Sequence, residues 1–181
     1  MKRLIVCKIL IILLASNLFA SPCTTGWRPP KLYGVRLGMT VRQVKMRFPN
    51  LKISPPNKYK VRDSFVYLTG SNSHKKYKVP RSVFSIEMLF LKARLVRYQI
   101  KFYDSENWKN MDEFASVMSE ALNLAELDSL ETRFPQGYSC KNIEVSFWED
   151  SSKSIKFFDL TAKPILDEMI EESYKNATLR D

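Results

Sequence analysis

The chain has 181 residues, with 29 Lys and Arg against 19 Asp and Glu for a formal charge of +10, one His and five Gly. That length predicts one domain with a real core, burying on the order of two-thirds of its unfolded surface. A single His excludes most His-based triads and metal sites, and so few Gly exclude collagen-like and glycine-loop architectures.

Residues 1–20, MKRLIVCKILIILLASNLFA, place Lys2 and Arg3 ahead of an apolar run, Ile9–Ala15, and end in Ala20 before polar Ser21. This predicts a secretory signal peptide, because the run is too short for a bilayer span and Lys8 interrupts its flank. An uncleaved N-terminal anchor is the alternative. Lipidation at Cys23 is disfavoured, since Pro22 stands where a small residue is needed. No later segment has the length and apolarity of a transmembrane helix. Cleavage would leave a charge of +7 and two cysteines, Cys23 and Cys140. In an oxidising compartment these are a candidate disulfide joining the mature N-terminus to the C-terminal half; two free thiols are the alternative.

Residues 21–31 are rich in Pro and read as an extended lead-in, and Leu32–Leu37 as a short strand. Thr40 and Gln43 then form a capping box, with Met39 and Val44 as a hydrophobic staple, opening a helix whose face is Val41, Val44 and Phe48. Pro49 ends it. Lys58, Lys60 and Arg62 alternate with Tyr59 and Val61, which predicts a strand with one basic face, extended by Phe65–Leu68 to a turn at Gly70–Asn72. Two alternating runs follow, Ser82–Leu91 and Arg94–Tyr103, separated by Lys92–Ala93. They predict a hairpin burying Phe84, Ile86, Met88 and Phe90 with Val96, Tyr98, Ile100 and Phe102.

Asn110 and Glu113 repeat the capping-box spacing before a second helix, with a stripe of Phe114, Val117, Met118, Ala121 and Leu122. After a loop around Pro135–Gly137, Cys140–Phe147 and Ile155–Leu160 read as a second hairpin. Pro164, at the favoured first position, opens a last helix with Leu166, Met169, Ile170 and Ser173 on one side. The sum is a single α+β domain over residues 21–181, an antiparallel sheet of hairpins with amphipathic helices packed on one face. Residues 32–103 and 108–161 each read as a helix-plus-meander unit, either a repeat or plain α+β alternation.

The segment LYGVRLGMTVRQVKMRFPN, Leu32–Asn50, resembles the strand–GMT–helix signature of the SmpA/OmlA (BamE) outer-membrane lipoproteins. The β-lactamase inhibitor protein fold, also built of helix-plus-meander units, is similar. The resemblance implies an envelope or secreted binding protein without catalysis.

Charge is split along the chain: residues 21–103 sum to +16 and residues 104–181 to −9. The densest basic stretch supplies the candidate anion-binding residues Lys58, Lys60, Arg62, Lys75, Lys76, Lys78 and Arg81, interleaved with Tyr59, Tyr67 and Tyr77. Nucleic acid is a poor partner for an exported protein; anionic lipid, lipopolysaccharide or polysaccharide suits the compartment. An ordinary solvated Lys-rich surface is the plainer reading. Asp167/Glu171 and Glu168/Glu172 are like-charge i,i+4 pairs, so that helix is expected to face the basic half of the same fold or of a second copy.

Catalytic, metal and cofactor motifs are missing. His74, in SNSHKKYK, reads as a solvated loop residue and is the only His partner available to Cys140. Glu144 and Glu149 fall on opposite faces of their strand, and Trp27, Trp108 and Trp148 read as core or rim packing. The function expected is a periplasmic or secreted, non-catalytic protein-binding module. The alternatives are a cationic binder of anionic lipid or polysaccharide through residues 58–81, and an unrecognised hydrolase.

Overall fold

The computed structural model describes residues 28–68, 70–103, 108–122, 124, 136–140 and 142–178. The expected signal peptide, Cys23 and Trp27 lie outside them. Six antiparallel strands form one sheet: β1 (Val61–Tyr67), β2 (Val83–Leu91), β3 (Arg94–Phe102), β4 (Gln136–Cys140), β5 (Ile143–Glu149) and β6 (Lys153–Asp159). Their spatial order is β1-β2-β3-β6-β5-β4. With them, among the described residues, stand four helices, α1 (Val41–Arg47), α2 (Gly70–Tyr77), α3 (Met111–Ala121) and α4 (Lys163–Thr178), the last entered through a 3-10 turn at Leu160–Ala162. This is an α+β fold. Each half of the chain zigzags inward from its own edge, and the halves meet where β3 pairs with β6, Ile100 opposite Ile155.

Alternation gives each sheet face its own core. On the first face, Ile86, Met88, Phe90, Tyr98, Ile100, Phe147 and Phe157 are buried under Val44 and Phe48 of α1, Tyr77 of α2 and Phe114 of α3. Tyr98 stacks on Phe157 with centroids 4.7 Å apart, and burial pushes its phenol pKa up. On the second face, Val61, Leu89, Leu91 and Val96 form a smaller cluster closed by Ala162 and Leu166. Three helices therefore lie on one face and α4 on part of the other.

The start of α1 is built as its sequence requires. The Gln43 N–H donates to Thr40 Oγ1 at 3.2 Å, and the Thr40 N–H donates to Gln43 Oε1 at 2.8 Å. Just before it, Leu32–Leu37 is a reverse turn instead of a strand. Leu32 and Val35 exchange backbone hydrogen bonds of 2.9 and 2.8 Å around Tyr33 and Gly34, whose φ angles of 49° and 88° are both positive. Glycine is needed at 34, because the Arg47 side chain lies where a Cβ would stand. Arg47 donates to the carbonyls of Tyr33 and Tyr77, tying this turn to α2.

Several elements differ from expectation, each for a local reason. The strand expected from Lys58 begins at Val61. Asn57 Oδ1 accepts the N–H groups of Tyr59 and Val61, folding residues 57–60 into a turn with Lys60 at φ 60°. The expected turn at Gly70–Asn72 is the first part of α2. A bulge between Val83 and Ser85 turns Val83 into the core and leaves Phe84 against Tyr103, 5.5 Å between centroids. A second irregularity makes Val96 the extra residue of β3, so Leu95 joins the larger core and Val96 the smaller. In α3 the buried stripe begins one turn earlier than expected, with Met111, Phe114 and Ala115, and Val117 is exposed. The expected strand Cys140–Phe147 is broken: Gln136–Cys140 is a strand of its own, paired with β5. In α4 the inward side is Ile165, Leu166 and Met169, while Ile170 and Ser173 face solvent.

Candidate anion-binding site

Lys92 and Ala93 make a two-residue turn between β2 and β3, with φ of 49° and 62°. Such turns are usually filled by Asn-Gly, so Lys-Ala carries strain of roughly 1 kcal/mol per residue. The turn is held against α1. Val41 N–H donates to the Ala93 carbonyl at 3.2 Å, Leu95 N–H to Met39 at 2.8 Å and Gly38 N–H to Leu95 at 2.8 Å. On its other side, Lys92 N–H donates to the Lys60 carbonyl at 3.1 Å. Three distant segments thus converge on an open hollow of about 780 Å³.

Its cations are Arg42 and Lys45 of α1, Arg62 of β1, and Lys92 and Arg94 of the hairpin. Arg42 and Lys45 share a helix face at i,i+3 spacing. Arg62 alternates with Val61 and so points toward α1. The Arg94 guanidinium donates to the Gly38 carbonyl at 3.2 Å. Among the described residues, none of the five cations is in an ion pair. Val41, Met46, Pro49 and Ala93 supply an apolar lining beside them.

The second sheet face handles its cations differently. Lys101 Nζ lies 2.7 Å from Glu87 Oε1 there, and at the β5–β6 turn, on the side of Phe147 and Ile155, Lys153 Nζ lies 2.9 Å from Glu149 Oε1. Lys156 stands 4.0 Å from Glu144 and 4.4 Å from the Trp148 ring centroid; burial pulls its pKa below the usual lysine value. Lys58 pairs with Glu172 of α4, which also accepts from the Tyr59 hydroxyl. Those two bonds hold the Glu172 carboxyl below the usual carboxylate range.

Of the seven residues singled out from the sequence, only Arg62 lines the hollow. Lys58 is committed to Glu172, and Lys60 is exposed in the turn before β1. Lys75, Lys76, Lys78 and Arg81 stand on or just after α2, past the far end of β1. A strand of that length puts roughly 20 Å between the two groups, so residues 58–81 are not one patch. Arg42, Lys45, Lys92 and Arg94 escaped the sequence reading. The available signal was the hairpin tip at Lys92–Ala93 beside the capped start of α1, each legible alone.

His74 is buried at 7% exposure, with Nε2 2.8 Å from the Val83 carbonyl, so it is a packed helix residue and not a solvated loop one. The Cys23–Cys140 pairing lies outside the described residues, Cys140 being the last residue of β4. Glu144 and Glu149 are five residues apart along β5, about 17 Å at strand rise, beyond the 5–10 Å of a glycosidase pair. Among the described residues no three His, Cys, Asp or Glu side chains gather as metal ligands, and no helix is long and apolar enough to cross a membrane. No protein family, curated protein or solved structure matches the chain.

Proposed function

We propose that this is an exported, non-catalytic protein that binds an anionic component of the cell envelope in the hollow between α1 and the β2–β3 turn. The observation that carries the reading is five cations around one concavity with no carboxylate of the described residues paired to them. Mutual repulsion among them is a cost in the free protein, and a multiply charged ligand relieves it. The hollow's volume falls in the range of ligand sites, and a phosphate or carboxylate head group is the chemistry it fits. The signal-like residues 1–20 and the resemblance of Leu32–Asn50 to envelope lipoproteins support the compartment.

Sedimentation with vesicles tests it. Vesicles of anionic lipid are expected to carry the protein down at low salt, and neutral vesicles are not. Binding should fade as ionic strength approaches about 0.5 M, where screening acts within a few ångströms. No binding to anionic vesicles at low salt removes the reading.

A second reading, a protein-binding module, is favoured by Phe65 and Tyr67, which stand 58% and 60% exposed on edge strand β1. They pack edge to face, with centroids 5.1 Å apart. If that patch holds a partner, Phe65→Ser with Tyr67→Ser will release it and leave vesicle binding unchanged.

A further inference from the structure

The acidic half of the chain has a partner for only part of its charge. α4 turns Ile165, Leu166 and Met169 toward the second core, and Glu172 is taken by Lys58 and Tyr59. Its outer side presents Asp167, Glu168 and Glu171, all exposed, with no ion pair among the described residues. Asp167 and Glu171 repel one another at i,i+4 spacing. Ile170, 46% exposed, stands among these carboxylates. The hollow is the complement of this surface in sign and in kind. It offers five cations with no ion pair among the described residues, and Met46, 68% exposed, as an apolar contact.

One molecule cannot close on itself this way. α1 and the hollow lie on the first face of the sheet, and α4 is fastened to the second by the Leu89–Leu91–Leu166 cluster and the Glu172 contacts. We infer that the outer face of α4 from a second copy docks in the hollow, carboxylates toward Arg42, Lys45, Arg62, Lys92 and Arg94, with Ile170 against Met46. This rests on the reading of the hollow as an anion site and names a protein occupant for it. Helix and hollow are different surfaces, so the contact is head to tail. In a pair, one copy keeps a free helix and the other a free hollow, so the assembly grows as short chains or closes as a ring. An anionic envelope ligand and the neighbouring helix compete for the same cations, so ligand binding would disperse the assembly.

Sedimentation equilibrium of the protein tests this. Its mean mass is expected to rise with concentration at low salt and return to that of a monomer near 0.5 M NaCl. Glu168→Lys with Glu171→Lys, and separately Arg62→Glu with Arg94→Glu, should each give monomers at low salt. An equimolar mixture of the two variants should form one-to-one dimers, because the unaltered helix of the hollow variant fits the unaltered hollow of the helix variant. Monomers of the native protein at every concentration, or a mixture that stays monomeric, would overturn the inference. The helix variant separates this from the anion-site reading. If it binds anionic vesicles and the native protein does not associate, only the docking fails; if vesicles are not bound either, both fail.

Discussion

Two groups of cations in this molecule sit under opposite rules. On the second sheet face, Lys101 and Lys156 each have a glutamate on a neighbouring strand position; Lys153 has Glu149 across the β5–β6 turn, and Lys58 has Glu172. At the hairpin tip, Arg42, Lys45, Arg62, Lys92 and Arg94 crowd one hollow with none among the described residues. Arg47 follows a third pattern, with its guanidinium spent on two backbone carbonyls. The number of basic residues therefore says little about where an anion goes. What distinguishes the hollow is charge left without an internal answer. The strained Lys92–Ala93 turn beside it agrees with that, since strain tends to be kept where it shapes a site.

The sharpest way to break the contrast is to reverse charge in each group. Arg62→Glu with Arg94→Glu is expected to lower vesicle affinity more than tenfold at low salt, measured by sedimentation, with a small change in melting temperature. Lys101→Glu with Lys156→Glu should do the opposite. It sets like charges against Glu87 and Glu144 and lowers the melting temperature, while vesicle affinity stays within about twofold to threefold. Equal loss of binding in both variants would make the protein a diffuse polycation.

A second comparison lies within α1. Arg47→Ala leaves two carbonyl acceptors and the Gly34 turn without their tie, and should cost about 1–3 kcal/mol in denaturant unfolding with little effect on vesicles. Arg42→Ala should show the reverse pattern, near-native stability with several-fold weaker binding.

Much of the frame is written locally. The Thr40–Gln43 box predicts α1 by itself, because its two hydrogen bonds involve residues three apart. The β2–β3 hairpin is equally legible, since one face alternates over two consecutive runs. α2 is not, because among the described side chains of GSNSHKKY the buried anchors are His74 and Tyr77, and burial of a histidine depends on the Val83 carbonyl brought by another strand. The exchange of Leu95 and Val96 between faces comes from a one-residue irregularity in pairing, which alternation along one strand does not encode. The hollow is the least local feature. Its cations lie at positions 42–45, 62 and 92–94, brought together by the backbone bonds of Gly38, Val41 and Leu95 between α1 and the hairpin and by the pairing of β1 with β2.

The α4 clasp gives a pH test on the paired side. Glu172 is held below its ordinary range in the folded state, so its contribution is present at neutral pH and lost as pH falls through the depressed folded value. Glu172→Gln should lower the melting temperature at pH 7, and the gap to the native protein should close below about pH 4. A gap independent of pH would detach the effect from the carboxylate. The smallest expected change is Ala93→Gly. It relieves a positive φ and should raise stability by up to about 1 kcal/mol, with vesicle binding unchanged because no charge is touched.

The seam between β3 and β6 has a consequence for how the molecule is made. Ile100 and Ile155 are partners across it, so the central pairing waits for a stretch of chain that follows most of the fold. When the N-terminal part emerges first, β1, β2 and β3 can assemble as a meander whose last strand, Arg94–Phe102, is an open apolar edge. Until Lys153–Asp159 arrives, that edge is free to pair with the same edge of another newly made chain. The yield of the native molecule should then depend on how dilute the emerging chains are, independently of how stable the finished sheet is.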